Sequence, residues 1–240
     1  MILILLMKFD TPLIKTKFIK RYKRFFVDVL LNKEILTAHC PNSGSMMGLL
    51  NEGENAWISE SKNTERKLKY TLEILEHNKQ KVGVNTHLTN RIVEEALINK
   101  KIKELEKFDQ VQREVKFNNN TRFDFLVSNK KNKAYLEVKN VTLKREKDFA
   151  EFPDAPTARG QKHLLELISA KKKGYQAFLI FLIQREDCNF FKISKDIDEK
   201  YYENFIEAKK KGVNFLCYSS KMSNKEINLN KNIEIKFNEN

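Results

Sequence analysis

The sequence is poor in residues that break or bend a chain. Seven glycines and four prolines serve 240 residues. Most connections must therefore be short or built from Asn and Lys, and each Gly marks a special backbone position. Cysteine is scarce as well. Cys40, Cys188 and Cys217 are odd in number, widely spaced and without metal-ligand spacing. That excludes a disulfide scaffold and points to a reduced, cytoplasmic protein. His39 and Cys40 are neighbours on an extended segment, so they point to opposite faces and do not share a metal. Long apolar runs are missing too. The longest spans residues 1–7, against the roughly 18–20 residues of a spanning helix. It lacks a basic leading region and a small-residue cleavage site, so it is no signal peptide. No membrane partner is expected, and the composition excludes collagen and coiled coil.

What is present is enough to build a core. Hydrophobic residues make up 41%, and 17 Phe must be buried somewhere, which excludes pervasive disorder. At roughly 100–200 residues per domain, the length gives one large domain or two small ones. Lysine and arginine exceed the acids to give a net charge of +13. That favours polyanionic partners. An AT-rich genome would enrich Lys, Asn and Ile in the same way, and both readings stand. Two identical strings, Ala170-Lys171-Lys172-Lys173-Gly174 and Ala208-Lys209-Lys210-Lys211-Gly212, each follow a helical pattern and precede an apolar run. Lysines in a last turn oppose the macrodipole and Gly supplies the C-cap, so both strings read as helix ends. Arginine is rarer. Arg21-Tyr22-Lys23-Arg24-Phe25 interleaves cations with aromatics, which suits phosphate contact plus base stacking, or else an ordinary basic strand edge.

Residues 1–82 read as short strands. Residues 24–31 and 35–39 flank a hairpin loop at Asn32-Lys33-Glu34, and residues 56–59 and 68–75 are further strands. Some five strands without a helix suggest a small barrel of the OB type. Residues 83–240 read as α/β. A helix over 91–101 has Asn90 as its N-cap. Strands over 110–117, 122–128 and 134–140 follow, then a helix over 157–173. A strand over 177–184 is nearly all apolar, hence expected to be buried on both faces. A helix over 200–211 and a strand over 213–218 complete the order αβββαβαβ. The tail from Asn224 is expected to be only partly ordered.

The chemistry concentrates in residues 122–139. If the second and third strands of this unit form a hairpin turning at Lys130-Lys131, Asp124 lies opposite Glu137. Lys139 falls two residues further on the same face. The other face takes Phe123, Phe125, Val127, Ala134, Leu136 and Val138, all apolar, which fixes the register. Two facing carboxylates repel unless a cation lies between them. A divalent ion with oxygen ligands, Mg²⁺ or Mn²⁺, answers that and would activate water beside Lys139. The alternative is a surface hairpin whose Asp124 and Glu137 pair with Arg122 and Lys139.

The order αβββαβ with Asp124 and Glu137-Val138-Lys139 resembles the PD-(D/E)xK nuclease superfamily. Thr37-Ala38-His39-Cys40-Pro41-Asn42-Ser43-Gly44-Ser45-Met46, Gly83-Val84-Asn85-Thr86, Phe152-Pro153-Asp154-Ala155 and Arg159-Gly160-Gln161-Lys162-His163 resemble the sugar fermentation stimulation protein family. So does the Arg21–Phe25 cluster. Pro156 and Ala158 depart from the family string, and residues 1–6 precede the usual start, so Met7 is a candidate start. The resemblance implies an N-terminal OB-like barrel and a nuclease-like αβββαβ domain. It implies Asp124, Glu137 and Lys139 as the nuclease-motif residues, with Glu95 as the further acid on the preceding helix. Arg159, Gln161 and His163 would line the same site. Arg21, Tyr22, Lys23, Arg24 and Arg122 join these three as nucleic-acid contacts.

Three functions follow from this reading. The first is largely sequence-non-specific DNA binding with a regulatory link to sugar use. The second is Mg²⁺-dependent hydrolysis of DNA or RNA at Asp124, Glu137 and Lys139. The third is binding of small nucleotides or phosphosugars. The absence of a helix-turn-helix or zinc-finger signature argues against operator reading.

Overall fold

The computed structural model describes residues 7–237. The apolar run over residues 1–6 and its start-site expectation lie outside the described residues. Five strands come first: β1 (Ile14–Tyr22), β2 (Phe26–Leu31), β3 (Glu34–His39), β4 (Asn55–Glu60) and β5 (Tyr70–His77). They run in the order β3-β2-β1-β4-β5, and β3 closes on β5 through Ala38↔Tyr70 and His39↔Thr71. Closure removes the free edges of the sheet. The β2–β3 turn forms where expected, with Asn32 and Lys33 at φ 51° and 72°. Such a pair matches the twist of the flanking strands. Phe18, Val27, Val29, Ala38, Ile58 and Leu72 fill the barrel.

β6 (Gln80–Gly83) folds back on β5, and a short 3₁₀ turn at Thr86–Leu88 leads into α1 (Thr89–Ile98). Here the expected cap moves. Asn85 caps the turn by accepting the His87 N–H, and Asn90 lies inside α1. The cap came earlier because the 3₁₀ turn continues directly into the helix.

The larger sheet contains β7 (Gln110–Asn118), β8 (Thr121–Ser128) and β9 (Lys133–Val141). After β10 (Leu143–Glu146), β11 (Asp148–Phe152) and α2 (Ala158–Lys172) come β12 (Gln176–Ile183) and β13 (Cys188–Ile193). The chain ends with α3 (Glu199–Lys210), β14 (Asn214–Met222), β15 (Ile227–Asn232) and β16 (Glu234–Ile235). The order is β15-β14-β12-β9-β8-β7, with β9, β12 and β14 parallel. Parallel neighbours need crossovers, and α2 and α3 supply them. Both lysine strings end these helices, with Gly174 and Gly212 at φ 86° and 80°. β12 is buried on both faces, Phe178, Ile180 and Leu182 against one core and Leu179, Phe181 and Ile183 against the other. The first core also takes Trp57 and Ile74 from the barrel, so the barrel and the larger sheet are packed together.

Three expectations change. β10, β11, β13 and β16 form an extra sheet, too short and too mixed in polarity to show in sequence. The tail past Asn224 is ordered through residue 237, because Ile227 and Leu229 dock into the first core as β15. The hairpin register is as read, Phe125↔Leu136 through Ser128↔Lys133, but Phe123 leaves the expected face. It packs with Tyr135 and Phe117 in the second core. Glu114 of β7, at φ 52°, is left out of the β7–β8 pairing, which otherwise keeps its register from Arg113↔Phe125 to Val115↔Phe123.

Candidate functional site

The β8–β9 ladder ends at Phe125↔Leu136. Past its end the Asp124 carboxylate replaces backbone as the partner of β9. Its Oδ2 accepts the Val138 N–H at 2.7 Å, and its Oδ1 accepts from Asn90 Nδ2 at 2.8 Å. Burial, then the charge of Glu137, push the Asp124 carboxyl up to about 6 against those two bonds. Glu137 is almost fully buried. Burial raises its pKa, but Lys139 and His163 outweigh that and hold it below the usual range. The two acids are therefore unequal. One is poised to hold a proton near neutrality, and the other stays charged.

Lys139 Nζ lies 2.7 Å from Glu137 Oε1 and 3.1 Å from His163 Nδ1. His163, on α2, is buried and hydrogen-bonded to the same Glu137 oxygen. A carboxylate can only accept, so His163 donates from Nδ1. That leaves Nε2 to receive Arg159 Nε at 3.5 Å. Asp124, Glu137, Lys139, His163 and Arg159 are thus brought to one corner, as the sequence places them.

Three other candidates are not brought there. Glu95 is buried elsewhere, its oxygens accepting the Met7 N–H at 2.7 Å and Lys101 Nζ at 2.6 Å. The helical period explains it. Asn90 and Glu94 share a face of α1, Glu95 is turned away, and Glu94 binds Arg113 at 3.1 Å. Gln161 donates to both oxygens of Asp198, the N-cap of α3. Arg122 is exposed, and among the described residues it takes no ion pair with Asp124 or Glu137. Of the surface-hairpin alternative, only the Lys139–Glu137 pair forms.

The barrel cluster divides. Lys23, Arg24 and Phe25 are exposed at the β1–β2 turn. Tyr22 is half-buried and donates to Asp28 at 3.1 Å. Arg21 is committed to the fold, donating to the carbonyls of Arg24 at 2.7 Å, Asn42 at 2.7 Å and Gly44 at 3.0 Å. Its fork shapes the 41–45 turn, which Asp154 then holds by accepting the Met46 N–H at 3.1 Å. A Cβ on Gly44 would lie 2.6 Å from Asp154 Oδ2, so only glycine fits. Two of the family strings thus meet in space.

Sequence reasoning missed Asn90 as a partner of Asp124, having taken it as a cap. It also missed the bonds of Thr89 and Gln184 to Asn140. Asn140 follows Lys139 directly, which was the available signal. Among the described residues, no three His, Cys, Asp or Glu side chains form a ready-made cation cage.

A closed OB barrel joined to a mixed α/β sheet, with an Asp and a Glu-x-Lys at the end of a hairpin ladder, defines the class. Residues 19–84 match the family described as the SfsA N-terminal OB domain. Residues 87–226 match the sugar fermentation stimulation protein RE domain. The chain belongs to the sugar fermentation stimulation protein family. It is 56% identical over 229 residues to the homologue of Pelagibacter ubique, covering 95% of this chain and 99% of that one. Against the homologue of Ruegeria sp. it is 46% identical, covering 86% and 90%. The structure of Pyrococcus furiosus SfsA in complex with Ca²⁺ superposes with TM-score 0.88 at 27% identity, covering 97% of this chain and 99% of that one. Among the described residues, no helix is long and apolar enough to cross a membrane.

Proposed function

We propose that this protein binds nucleic acid and hydrolyses phosphodiester bonds at the Asp124–Glu137–Lys139 corner, with a divalent metal ion. The observation that carries the reading is the placement of half-buried Asp124 beside buried Glu137, close enough for the Glu137 charge to raise the Asp124 pKa. Lys139 Nζ lies 2.7 Å from Glu137 Oε1. The corner fits a hard cation, because its acceptors are carboxylate oxygens and, after burial, the charge of Glu137 is what raises the Asp124 pKa. Asp124, Glu137 and the Val138 carbonyl would hold it. The N–H and C=O of a strand residue point to the same edge, and the Val138 N–H already faces Asp124 beyond the ladder. The Ca²⁺ in the Pyrococcus furiosus relative supports a divalent ion; Mg²⁺ or Mn²⁺ is proposed for this chain.

When bound, such an ion polarises a phosphoryl oxygen and lowers the pKa of water. Lys139 orients the attacking water and neutralises charge that develops on the phosphoryl oxygens. His163 fixes the rotamer of Glu137 through its Nδ1 bond, and Asn90 fixes that of Asp124. Arg159, exposed at the start of α2, offers its guanidinium to the flanking phosphate. Lys23, Arg24 and Phe25 at the barrel turn add sequence-independent affinity, and the net charge of +13 favours it. Cytoplasmic DNA or RNA is the partner this chemistry suits. Binding alone, as an accessory factor in sugar use, would need only the barrel. The assembled carboxylate–lysine corner favours chemistry over that reading and over a small nucleotide or phosphosugar ligand.

The test incubates labelled single- and double-stranded DNA and RNA with the protein, with and without Mg²⁺ or Mn²⁺, scoring binding and cleavage separately. Cleavage only with metal, lost in Lys139→Ala while binding persists, is the expected result. Binding without cleavage under any metal would reduce the protein to a binding factor.

A further inference from the structure

Asn90 reaches Asp124, and the next residue of α1, Arg91, lines a second cavity of about 610 Å³. This is within the size range of small-ligand sites, about 300–1,000 Å³. His39 enters it from β3 and Thr71 from β5, where the barrel closes. Arg66 comes from the β4–β5 loop and His87 from the turn before α1.

The carboxylates on this wall are already engaged. Asp10 lies 3.7 Å from Arg91, and Glu60 lies 2.9 Å from Lys69. Glu73 is buried and accepts from Ser59 Oγ at 2.6 Å and Asn85 Nδ2 at 2.7 Å. Of the cationic side chains, Arg91 is the one paired with Asp10, while Arg66, His39 and His87 have no carboxylate within ion-pair distance among the described residues. Among the described residues the Arg66 side chain makes one hydrogen bond, from Nη1 to Thr71 Oγ1 at 3.1 Å. The ring nitrogens of His39 and His87 have no hydrogen-bond partner among the described residues. Arg66, His39 and His87 line the same cavity, and burial, then the positive charges of Arg66 and His87, lower the pKa of His39. A guanidinium fork and two imidazole rings, each with an N–H to donate, match phosphate oxygens.

We propose that this cavity is a phosphate-binding site, in which Arg66, His39 and His87 hold a phosphate group of the ligand. The Phe25 ring stacks on His39 at 6.4 Å and is exposed, so a base beside that phosphate has an aromatic surface to lie on. The proposal deepens the nucleic-acid reading. It rests on that reading for the carrier of the phosphate, not for the phosphate itself.

The test titrates the full chain by calorimetry with inorganic phosphate, then with a trinucleotide carrying or lacking a 5′-phosphate. Saturable phosphate binding is expected, weakened about tenfold or more in Arg66→Ala, since bonds to charged groups contribute about 1.5–3 kcal/mol. His87→Ala, at an exposed position, should weaken it several-fold and carries the test if Arg66→Ala fails to fold. Tighter binding of the 5′-phosphorylated trinucleotide assigns the site to a strand end; equal binding of both assigns it to an internal phosphodiester. Phosphate binding with no oligonucleotide binding keeps the site and sinks the nucleic-acid reading. No saturable phosphate binding by the wild type, or equal binding by both variants, overturns the proposal.

Discussion

Asp124 Oδ2 accepts the backbone N–H of Val138 at 2.7 Å, taking the place of a strand at the end of the β8–β9 ladder. One carboxylate thus does two jobs: it ends the hairpin and fixes the edge of β9 that carries Glu137 and Lys139. Asp124→Asn keeps one acceptor oxygen for that N–H and removes the buried charge facing Glu137. In the presence of chelator its Tm should match the wild type or exceed it. A fall equivalent to more than about 2 kcal/mol would mark the carboxylate as purely structural.

The hairpin itself was legible because its pattern is strict. Alternation over residues 123–128 and 134–138 allowed one register, and the structure has it. The face change at Phe123 was not legible, since the apolar alternation of Phe123, Phe125 and Val127 runs straight through it in sequence. Asp124, Glu137, Lys139 and His163 could be placed because motif spacing survives folding. Glu95 could not, because a one-residue choice on a helix turns a side chain by about 100°. Gln161 and Arg21 look like ligand contacts in sequence. Their partners, Asp198 and the carbonyls of the 41–45 turn, are tertiary neighbours that no local pattern reveals.

Phe125 is fully buried between β8 and α1, among Leu136, Val138 and Ile92. Truncation to Ala leaves a cavity in the core that supports the site. Phe125→Ala should lose about 3–5 kcal/mol in denaturant unfolding. A loss below about 1 kcal/mol would contradict the packing described.

Acid stability should depend on Asp187. Burial raises its carboxyl, but hydrogen bonds and charges from Arg185 and Lys144 prevail and hold it at about 2, below the ordinary 3.8. A lowered folded pKa gives stability that is complete above about 4 and is lost as pH falls toward 2. Allowing for solvent screening, that loss is about 1–2 kcal/mol. Melting curves from pH 5 to 2 should show it in the wild type. Asp187→Asn should lack this step and be less stable at pH 7, because the buried Arg185 loses its counter-charge. Parallel acid curves for the two proteins would contradict the assignment.

Lys23 and Arg24 are exposed at the barrel turn, whereas Arg21 braces the fold. The double variant Lys23→Ala, Arg24→Ala should weaken DNA binding alike for all sequences and reduce the slope of log affinity against log salt by about 1–2. Its Tm should not move. A sequence-selective loss, or an unchanged salt slope, would count against a phosphate contact there.

The central claim is that Asp124 and Glu137 hold a divalent ion used on a phosphodiester. Its most direct measurement is calorimetric titration of Mn²⁺ into wild type and Asp124→Ala, each with a DNA oligonucleotide present, since substrate phosphate completes the ligand set of such ions. The account predicts a saturable heat in the wild type that Asp124→Ala lacks, while both proteins still bind the oligonucleotide. Indistinguishable heats from the two proteins would contradict the metal site and the hydrolytic function built on it.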